Sequence, residues 1–161
     1  MTPPLELSVD PRYAGWMGHA LELAAAAGRA GDVPVGAVVV SAAGEVLGEG
    51  ANVREVEGDP TGHAEVRALR EAARHTGSWR LADATLVVTL EPCPMCAGAM
   101  LLARVRTVVF GAWDPKAGAC GSVWDLARDG RTNHWVEVVA GVREPECSRL
   151  LLDFFRERRL R

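Results

Sequence analysis

The sequence lacks the features that mark a membrane-spanning, exported or broadly nucleic-acid-binding protein. No apolar run approaches the roughly 18 residues that a membrane helix needs. The short alanine run at residues 24–27 has no basic segment before it, so we expect no export signal. Lysine is nearly absent, since Lys116 is the only one, and the formal net charge is −3. A chain with that charge has no overall attraction for nucleic acid, and any such contact must come from a local patch.

A local basic patch is present at the C-terminal end. Five arginines lie between Arg149 and Arg161, against the acids Asp153 and Glu157. From charge alone two interpretations stay open: contact with phosphate groups, or a solvated helix face without a special function.

Length and composition indicate one globular domain. The chain has 161 residues, which is enough for one hydrophobic core and too few for two ordinary domains. A hydrophobic fraction of 48% excludes a disordered chain. We therefore predict a single domain over residues 1–161, with a loose N-terminal end at residues 1–9.

Hydrophobic patterning predicts alternating helices and buried strands after an opening hairpin. The predicted helices are 16–30, 63–75, 94–103 and 145–159, with a further short helix at 123–128, and the predicted strands are 37–41, 46–52, 85–90, 106–110 and 136–140. Strands covered on both faces and alternating with helices favour an α/β fold. We predict a three-layer α/β/α sandwich with a mixed five-stranded sheet.

Two short motifs bring together residues suited to bind a metal. His63-Ala64-Glu65 supplies an imidazole and a carboxylate, and Pro92-Cys93-Pro94-Met95-Cys96 supplies two thiols. One histidine and two cysteines suit a zinc ion with an open coordination position, as in a catalytic site. Such an ion activates water while a carboxylate moves the proton, so Glu65 is the candidate general acid and base. We predict one Zn2+ per chain.

Both motifs are predicted to lie where helices begin. Pro94 marks the start of one helix, so Cys93 and Cys96 fall in its first turn, where thiols ionise readily and residues three apart share a face. Glu65 lies two residues after His63, about 200° around an ideal helix. Spacing alone therefore does not place Glu65 beside the metal.

A Cys-x-x-Cys pair by itself also occurs in structural zinc knuckles and in redox pairs. A structural zinc site needs a fourth protein ligand, usually from a second such pair, and the sequence has none. A redox pair does not require the His-x-Glu motif. Cys120 and Cys147 stand alone, and we interpret them as small apolar core residues.

Further segments accompany the two motifs in a fixed order. They are Asp32-Val33-Pro34-Val35-Gly36-Ala37, Asp59-Pro60-Thr61-Gly62, Thr89-Leu90-Glu91, Ala97-Gly98-Ala99, Phe110-Gly111-Ala112, Asp114, Lys116, Gly118-Ala119, Asn133-His134, and Cys147 with Leu150-Leu151 and Phe154-Phe155. Over roughly residues 10–160 the chain resembles the zinc-dependent cytidine/adenosine deaminase superfamily, and within it the bacterial tRNA adenosine deaminases.

The resemblance implies a cytidine deaminase-like fold and a specific reaction. The reaction is hydrolytic deamination of adenosine to inosine at the wobble position of a tRNA anticodon, with release of ammonia. His63, Cys93 and Cys96 are implied as the zinc ligands, and Glu65 as the residue that shuttles protons. The implied partners are a tRNA anticodon stem-loop and a second copy of the chain in a homodimer, in the cytoplasm, with no membrane and no other protein partner.

The resemblance also implies which residues meet the substrate. They are Asn52, Val33, Ala64 and Leu90 around the adenine, and Asp114, Lys116, Phe154 and Arg158 toward the neighbouring RNA. Local alternatives stay open for three of them: Asn52 as a turn cap, Asp114 as the first residue of an Asp-Pro turn, and Phe154 as a core residue.

Two rival functions remain open. A deaminase of a free base or nucleoside, such as guanine or cytosine, would share the zinc and the glutamate but would need no RNA surface. A catalytically silent RNA- or zinc-binding module would have no use for Glu65. The 110–134 segment and the arginine-bearing end favour an RNA substrate over a free base or nucleoside, and the intact Glu65 argues against a silent module.

Overall fold

Residues 9–161 are described by a computed structural model, and the predicted loose end at residues 1–9 falls outside the described residues apart from Val9. Helices and strands follow one another in the predicted alternation. Their bounds are α1 Arg12–Arg29, β1 Gly36–Val40, β2 Val46–Ala51, α2 Ala64–Thr76, β3 Thr85–Leu90, α3 Pro94–Leu102, β4 Thr107–Ala112, β5 Glu137–Ala140 and α4 Glu144–Arg159. Within this range no helix is both long and apolar enough to cross a membrane.

The strands form one mixed sheet in the order β2-β1-β3-β4-β5. β1 pairs antiparallel with β2 and with β3, whereas β3, β4 and β5 run parallel to one another. Helices α2 and α3 cover one face, and α1 and α4 cover the other. The predicted three-layer α/β/α sandwich with a mixed five-stranded sheet is therefore confirmed. The carboxyl ends of β3 and β4 share one edge, which is where α/β sheets place their ligands.

Cover on both faces explains the unbroken apolar strands. In β1, Ala37 and Val39 pack in the core beneath α2 and α3, while Val38 and Val40 pack in the core beneath α1 and α4. Every residue of β1 is buried, so alternation between polar and apolar residues is absent.

The lone cysteines are core residues. Cys120 is buried in the first of these cores and Cys147 in the second, and both thiols are free. The structure thus supports their interpretation as small apolar side chains.

Glycines let strand β2 pack directly against the backbone of α2. A Cβ atom at Gly50 would lie 2.1 Å from the carbonyl oxygen of Ala64, and one at Gly48 would lie 2.3 Å from that of Ala68. Both alanines are fully buried on the face of α2 that meets the strand. Because Ala64 and Ala68 lie in the first turns of α2, this contact sets the position of the helix start.

A side chain at Gly50 should therefore destabilise the fold. We expect Gly50→Ala to lower the free energy of unfolding by about 1–3 kcal/mol or more, as overpacking does. Gly15 of α1 is a matched control, since a Cβ there meets nothing within 4 Å. Gly15→Ala should raise stability by about 0.5–1 kcal/mol, because alanine is the better helix former. Urea unfolding of both variants measures the difference, and equal stabilities would contradict the backbone contact.

The predicted short helix at 123–128 is wrong. The Val123 amide donates to the Gly118 carbonyl at 3.1 Å, and the Leu126 amide donates to the Ala119 carbonyl at 2.9 Å. These bonds replace the bonds to the fourth preceding residue that a helix requires. The segment instead folds back on residues that precede it, as a loop beside the edge of the sheet described above.

Candidate active site

A cavity of about 220 Å3 opens at this edge, where α2 and α3 begin. Its lining combines apolar side chains with both sequence motifs. The lining residues are Val33, Val35, Asn52, Arg54, His63, Ala64, Glu65, Leu90, Glu91, Cys93, Asp114 and Ala117. The structure thus brings together residues that lie up to about 80 positions apart in the chain.

Three metal-binding side chains meet at the wall of the cavity. His63 is the N-cap of α2 and Cys93 is the N-cap of α3, both with extended backbone and without a side-chain capping bond. Cys96 lies in the first turn of α3 and is fully buried. The ligand atoms of these three residues all lie within 4.8 Å of one another. Since neither side chain caps its own helix, the imidazole and the thiol are free to bind a metal.

The spacing of these atoms fits a tetrahedral zinc ion. The His63 Nδ1 atom lies 3.5 Å from the Sγ atoms of both Cys93 and Cys96. Zinc bonds of about 2.3 Å to sulfur and about 2.0 Å to nitrogen, at a tetrahedral angle, place a nitrogen and a sulfur about 3.5 Å apart. Three protein ligands would hold the ion and leave one coordination position for a water molecule.

The two thiols differ in their acidity. Hydrogen bonding from the Cys96 thiol, together with the His63 imidazole, lowers the pKa of Cys93 to about 4. The pKa of Cys96 is raised, because Cys93 takes the negative charge first and because Cys96 is buried. The contact with Cys93 raises the pKa of His63. Cys93 is therefore the more readily ionised of the two thiols, and a metal would bind both cysteines as thiolates.

Glu65 lies in the same cavity despite its spacing from His63. The angle of about 200° applies only if both residues are helical, and His63 has an extended conformation with ψ of 148°. The side chain of Glu65, in the first turn of α2, is 4% exposed and lines the cavity together with His63 and Cys93. Burial raises the pKa of Glu65 to about 7. A carboxyl group with that pKa is suited to both accept and release a proton near neutral pH.

Asn52 faces the cavity from the end of β2. Its Nδ2 atom donates to the Val33 carbonyl at 3.2 Å, and its Oδ1 atom accepts from the Arg54 amide at 3.1 Å. The second of these bonds is the turn cap considered from the sequence. One N–H and one lone pair remain for a ligand, and the two backbone bonds fix how the amide is turned.

The RNA-facing residues implied by the resemblance fall into two groups. Asp114 lines the cavity. Lys116 instead lines a surface hollow with residues of α4, outside the cavity. Arg158 donates to the Gly31 carbonyl at 2.7 Å and lies 4.6 Å from the ring centre of Phe154. Phe154 and Arg158 therefore join the end of α4 to the turn after α1, beside the cavity and not in it.

Sequence reasoning missed four lining residues: Val35, Arg54, Glu91 and Ala117. The sequence does contain a signal for Glu91: it is an acid directly after the apolar run of β3, where a buried residue is expected, and a buried acid indicates a special role. Ala117 and Arg54 carry no such signal, because they lie on loops without periodicity.

Comparison with known proteins agrees with this geometry. A family model for the cytidine and deoxycytidylate deaminase zinc-binding region matches residues 12–112. The chain is 50% identical over 144 residues to the tRNA-specific adenosine deaminase of Bacillus subtilis (strain 168), with 89% of each chain covered.

Solved structures with the same fold include enzymes for two kinds of substrate. A structure from studies of A-to-I editing by tRNA:A34 deaminases at the wobble position of transfer RNA is 39% identical, with a TM-score of 0.82 over 85% of this chain and 99% of that one. A guanine deaminase from Bacillus subtilis is 36% identical, with a TM-score of 0.62 over 71% of each chain. With both cavity motifs inside the matched region, the chain belongs to the cytidine and deoxycytidylate deaminase family, and its metal site is a zinc site.

Proposed function

We propose that this protein converts adenosine to inosine at the wobble position of a tRNA anticodon, by hydrolytic deamination with release of ammonia. The observation that carries the proposal is the cavity in which a buried carboxylate lies beside a three-ligand metal group. The similarity to tRNA-specific adenosine deaminases over most of both chains supports the choice of substrate. The enzyme is then a single deaminase domain over residues 1–161 that works in the cytoplasm, where its substrate is.

In this proposal His63, Cys93 and Cys96 hold the zinc, one ion per chain. When bound, zinc lowers the pKa of a water molecule toward about 7 and so supplies a nucleophile at neutral pH. Glu65 accepts one proton from the attacking water and delivers it to N1 of adenine. It then takes the second proton from the hydroxyl group now on C6 and delivers it to the amino group, which leaves as ammonia while the C6 carbonyl forms. One water is consumed and one ammonia is released. The buried position of Glu65 keeps its carboxyl group away from bulk water during these transfers.

The base is recognised by few groups. Asn52 offers one donor and one acceptor to the adenine, while Val33, Ala64 and Leu90 supply apolar or small walls. A base stacked in a helix cannot enter such a cavity, so the substrate is an unstacked nucleotide in a loop. Because the cavity makes few polar contacts, the affinity must come from the neighbouring nucleotides.

Contacts to those nucleotides lie beside the cavity in this proposal. Asp114 stands at the rim, and Lys116, Phe154 and Arg158 extend the surface toward the end of α4. The side chains of Lys116 and of the arginines on this helix offer positive charge to phosphates. Binding that depends on such contacts weakens as the salt concentration rises.

The test compares substrates. The zinc-loaded protein is incubated with a stem-loop that carries adenosine at the wobble position, and inosine is read as guanosine by sequencing. A stem-loop with the adenosine moved by one position is the matched control, and free adenosine, cytidine and guanine are assayed beside it. We expect turnover of the wobble adenosine alone. Turnover of guanine or another free substrate, with none of the stem-loop, would identify a small-molecule deaminase instead.

We further propose that the protein is a homodimer, joined through the face formed by α2 and α3. A largely apolar hollow lies there, lined by Val66, Leu69, Arg70, Ala73, Trp79, Ala99, Leu102 and Ala103. Trp79 is 61% exposed and Leu102 is 71% exposed. Contiguous exposed apolar surface of this kind is typical of protein interfaces.

A charge in this hollow should separate the subunits. We expect Leu102→Glu to shift the sedimentation coefficient from that of a dimer to that of a monomer, since burying an unpaired carboxylate opposes association. Leu160→Glu is the control, because Leu160 is 84% exposed at the end of α4, away from the hollow. A wild-type protein that sediments as a monomer would refute the dimer.

A further inference from the structure

Glu91 is a buried acid without a basic partner. It directly follows β3, two residues before Cys93, and its side chain is 1% exposed. None of the ion pairs among residues 9–161 includes it. A carboxylate in such a place must have its charge stabilised by hydrogen bonds.

Four donors from one loop supply those bonds. Glu91 Oε1 accepts from the backbone amides of Cys120 and Ser122, both at 3.0 Å. Glu91 Oε2 accepts from the backbone amide of Asp114 at 2.9 Å and from the hydroxyl of Ser122. Three of the four partners are backbone amides, which only donate, so the position suits a side chain with two accepting oxygens.

The backbone on either side of Glu91 reinforces the same attachment. Its amide donates to the Ala112 carbonyl at 2.8 Å, and the Ala119 amide donates to the Pro92 carbonyl at 2.8 Å. Gly118 makes room for the side chain, since a Cβ there would lie 2.2 Å from Glu91 Oε2. The segment that ends in the zinc-binding cysteines and the 113–122 loop are thus held together around one carboxylate.

The 113–122 loop forms one wall of the active-site cavity. Asp114 and Ala117 line it, as does Glu91 itself. Asp114 Oδ1 accepts from the amides of Lys116 and Ala117, at 3.0 and 3.2 Å, which gives the tip of the loop its turn. The place of this wall relative to Glu65 and the metal group therefore depends on where Glu91 holds the loop.

We infer that Glu91 is a positioning residue for substrate binding: its carboxylate holds the wall formed by Asp114 and Ala117 against the zinc-binding segment. Glu91 itself takes no part in proton transfer. The inference deepens the proposed function, because it concerns how the same cavity grips the nucleotide. It explains why an acid stands at the end of a strand that is otherwise apolar.

The test is Glu91→Gln in the zinc-loaded protein, with kcat and KM measured separately on the stem-loop. Glutamine has the size of glutamate, but an NH2 group replaces one of the two accepting oxygens. The hydrogen bonds that this oxygen accepted are lost, because an NH2 group and a backbone amide are both donors. We expect one zinc per chain, and a KM raised by roughly tenfold or more with a smaller change in kcat, as the loss of a buried charged acceptor warrants. A merely structural role would lower the active fraction, and hence kcat, without changing KM.

Two further variants complete the design. Glu137→Gln is the matched control. Among residues 9–161 the Glu137 side chain, on β5, accepts only from the Thr107 hydroxyl, and it lies outside the cavity. Both constants should stay at wild-type values. Ser122→Ala removes one donor to Glu91 and should raise KM by a smaller factor, with little further effect when combined with Glu91→Gln. This variant carries the test if Glu91→Gln fails to fold.

Two results would overturn the inference: KM values for Glu91→Gln and Ser122→Ala within twofold of the wild type, or effects of the two changes on KM that simply multiply. Failure of the proposed function gives a different pattern, in which the wild type leaves the stem-loop unchanged and turns over a free base. The KM values of Glu91→Gln and Ser122→Ala are then measured on that base, which tests the role of Glu91 independently of the substrate.

Discussion

Replacing Glu65 with glutamine is expected to slow deamination by about 10²–10⁴-fold, the range typical of a general acid and base. The carboxyl group lines the same cavity as His63 and Cys93 and is almost fully buried. Glutamine has the same shape, so the cavity should keep its form. Its amide neither accepts nor releases a proton near neutral pH, and the transfers between water, N1 and the leaving amine lose their carrier.

Zinc content and rate must be measured on the same preparation of this variant. Elemental analysis should give one zinc per chain, because Glu65 is not among the three ligands. Glu71→Gln, at an exposed position on the same helix, is the control and should deaminate at the wild-type rate. Turnover by Glu65→Gln close to the wild-type rate would make Glu65 a structural residue and would refute the mechanism.

The second large effect is expected from Cys96→Ala, which should release the zinc and abolish activity. Three protein ligands hold the ion while a fourth position stays open for water, and two ligands do not retain it against dialysis. Cys147→Ala is the matched control, since Cys147 is equally buried but packs between α4 and the opposite face of the sheet. That variant should keep one zinc per chain.

Elemental analysis after dialysis against a weak chelator measures this difference. Full zinc retention in Cys96→Ala would refute the ligand set, and so would two zincs per wild-type chain. Circular dichroism of the same sample shows whether the fold survives the loss of the ion.

Most of the fold could be predicted because its signals are local. The strand at Thr85–Leu90 was predicted with the bounds that the structure has, since an unbroken apolar run of that length has few alternatives. Boundaries of other elements moved by a few residues, as at α1, which begins at Arg12 and not at residue 16. The predicted helix at 123–128 failed because backbone bonds to Gly118 and Ala119 outweigh a weak local preference.

Some residues of the candidate site could likewise be predicted from the sequence, and others could not. The zinc-binding residues could be predicted because both motifs are short and contiguous. The place of Glu65 could not, because it depends on the extended backbone of His63, which a helical periodicity does not describe. Glu91 was missed as a site residue because its partners lie 23 to 31 positions further along the chain. Only the fold reveals that they meet.

The close contact of Gly48 and Gly50 with α2 has a consequence for how this protein can change over generations. Any single substitution at either glycine meets helix backbone at once, and backbone cannot be trimmed by a compensating side-chain change. Neither glycine can therefore be replaced through a series of single substitutions that each preserve the fold. Drift in the hairpin is restricted to outward positions such as Glu45, which is exposed. The wall of the cavity that begins at Asn52 inherits that constancy.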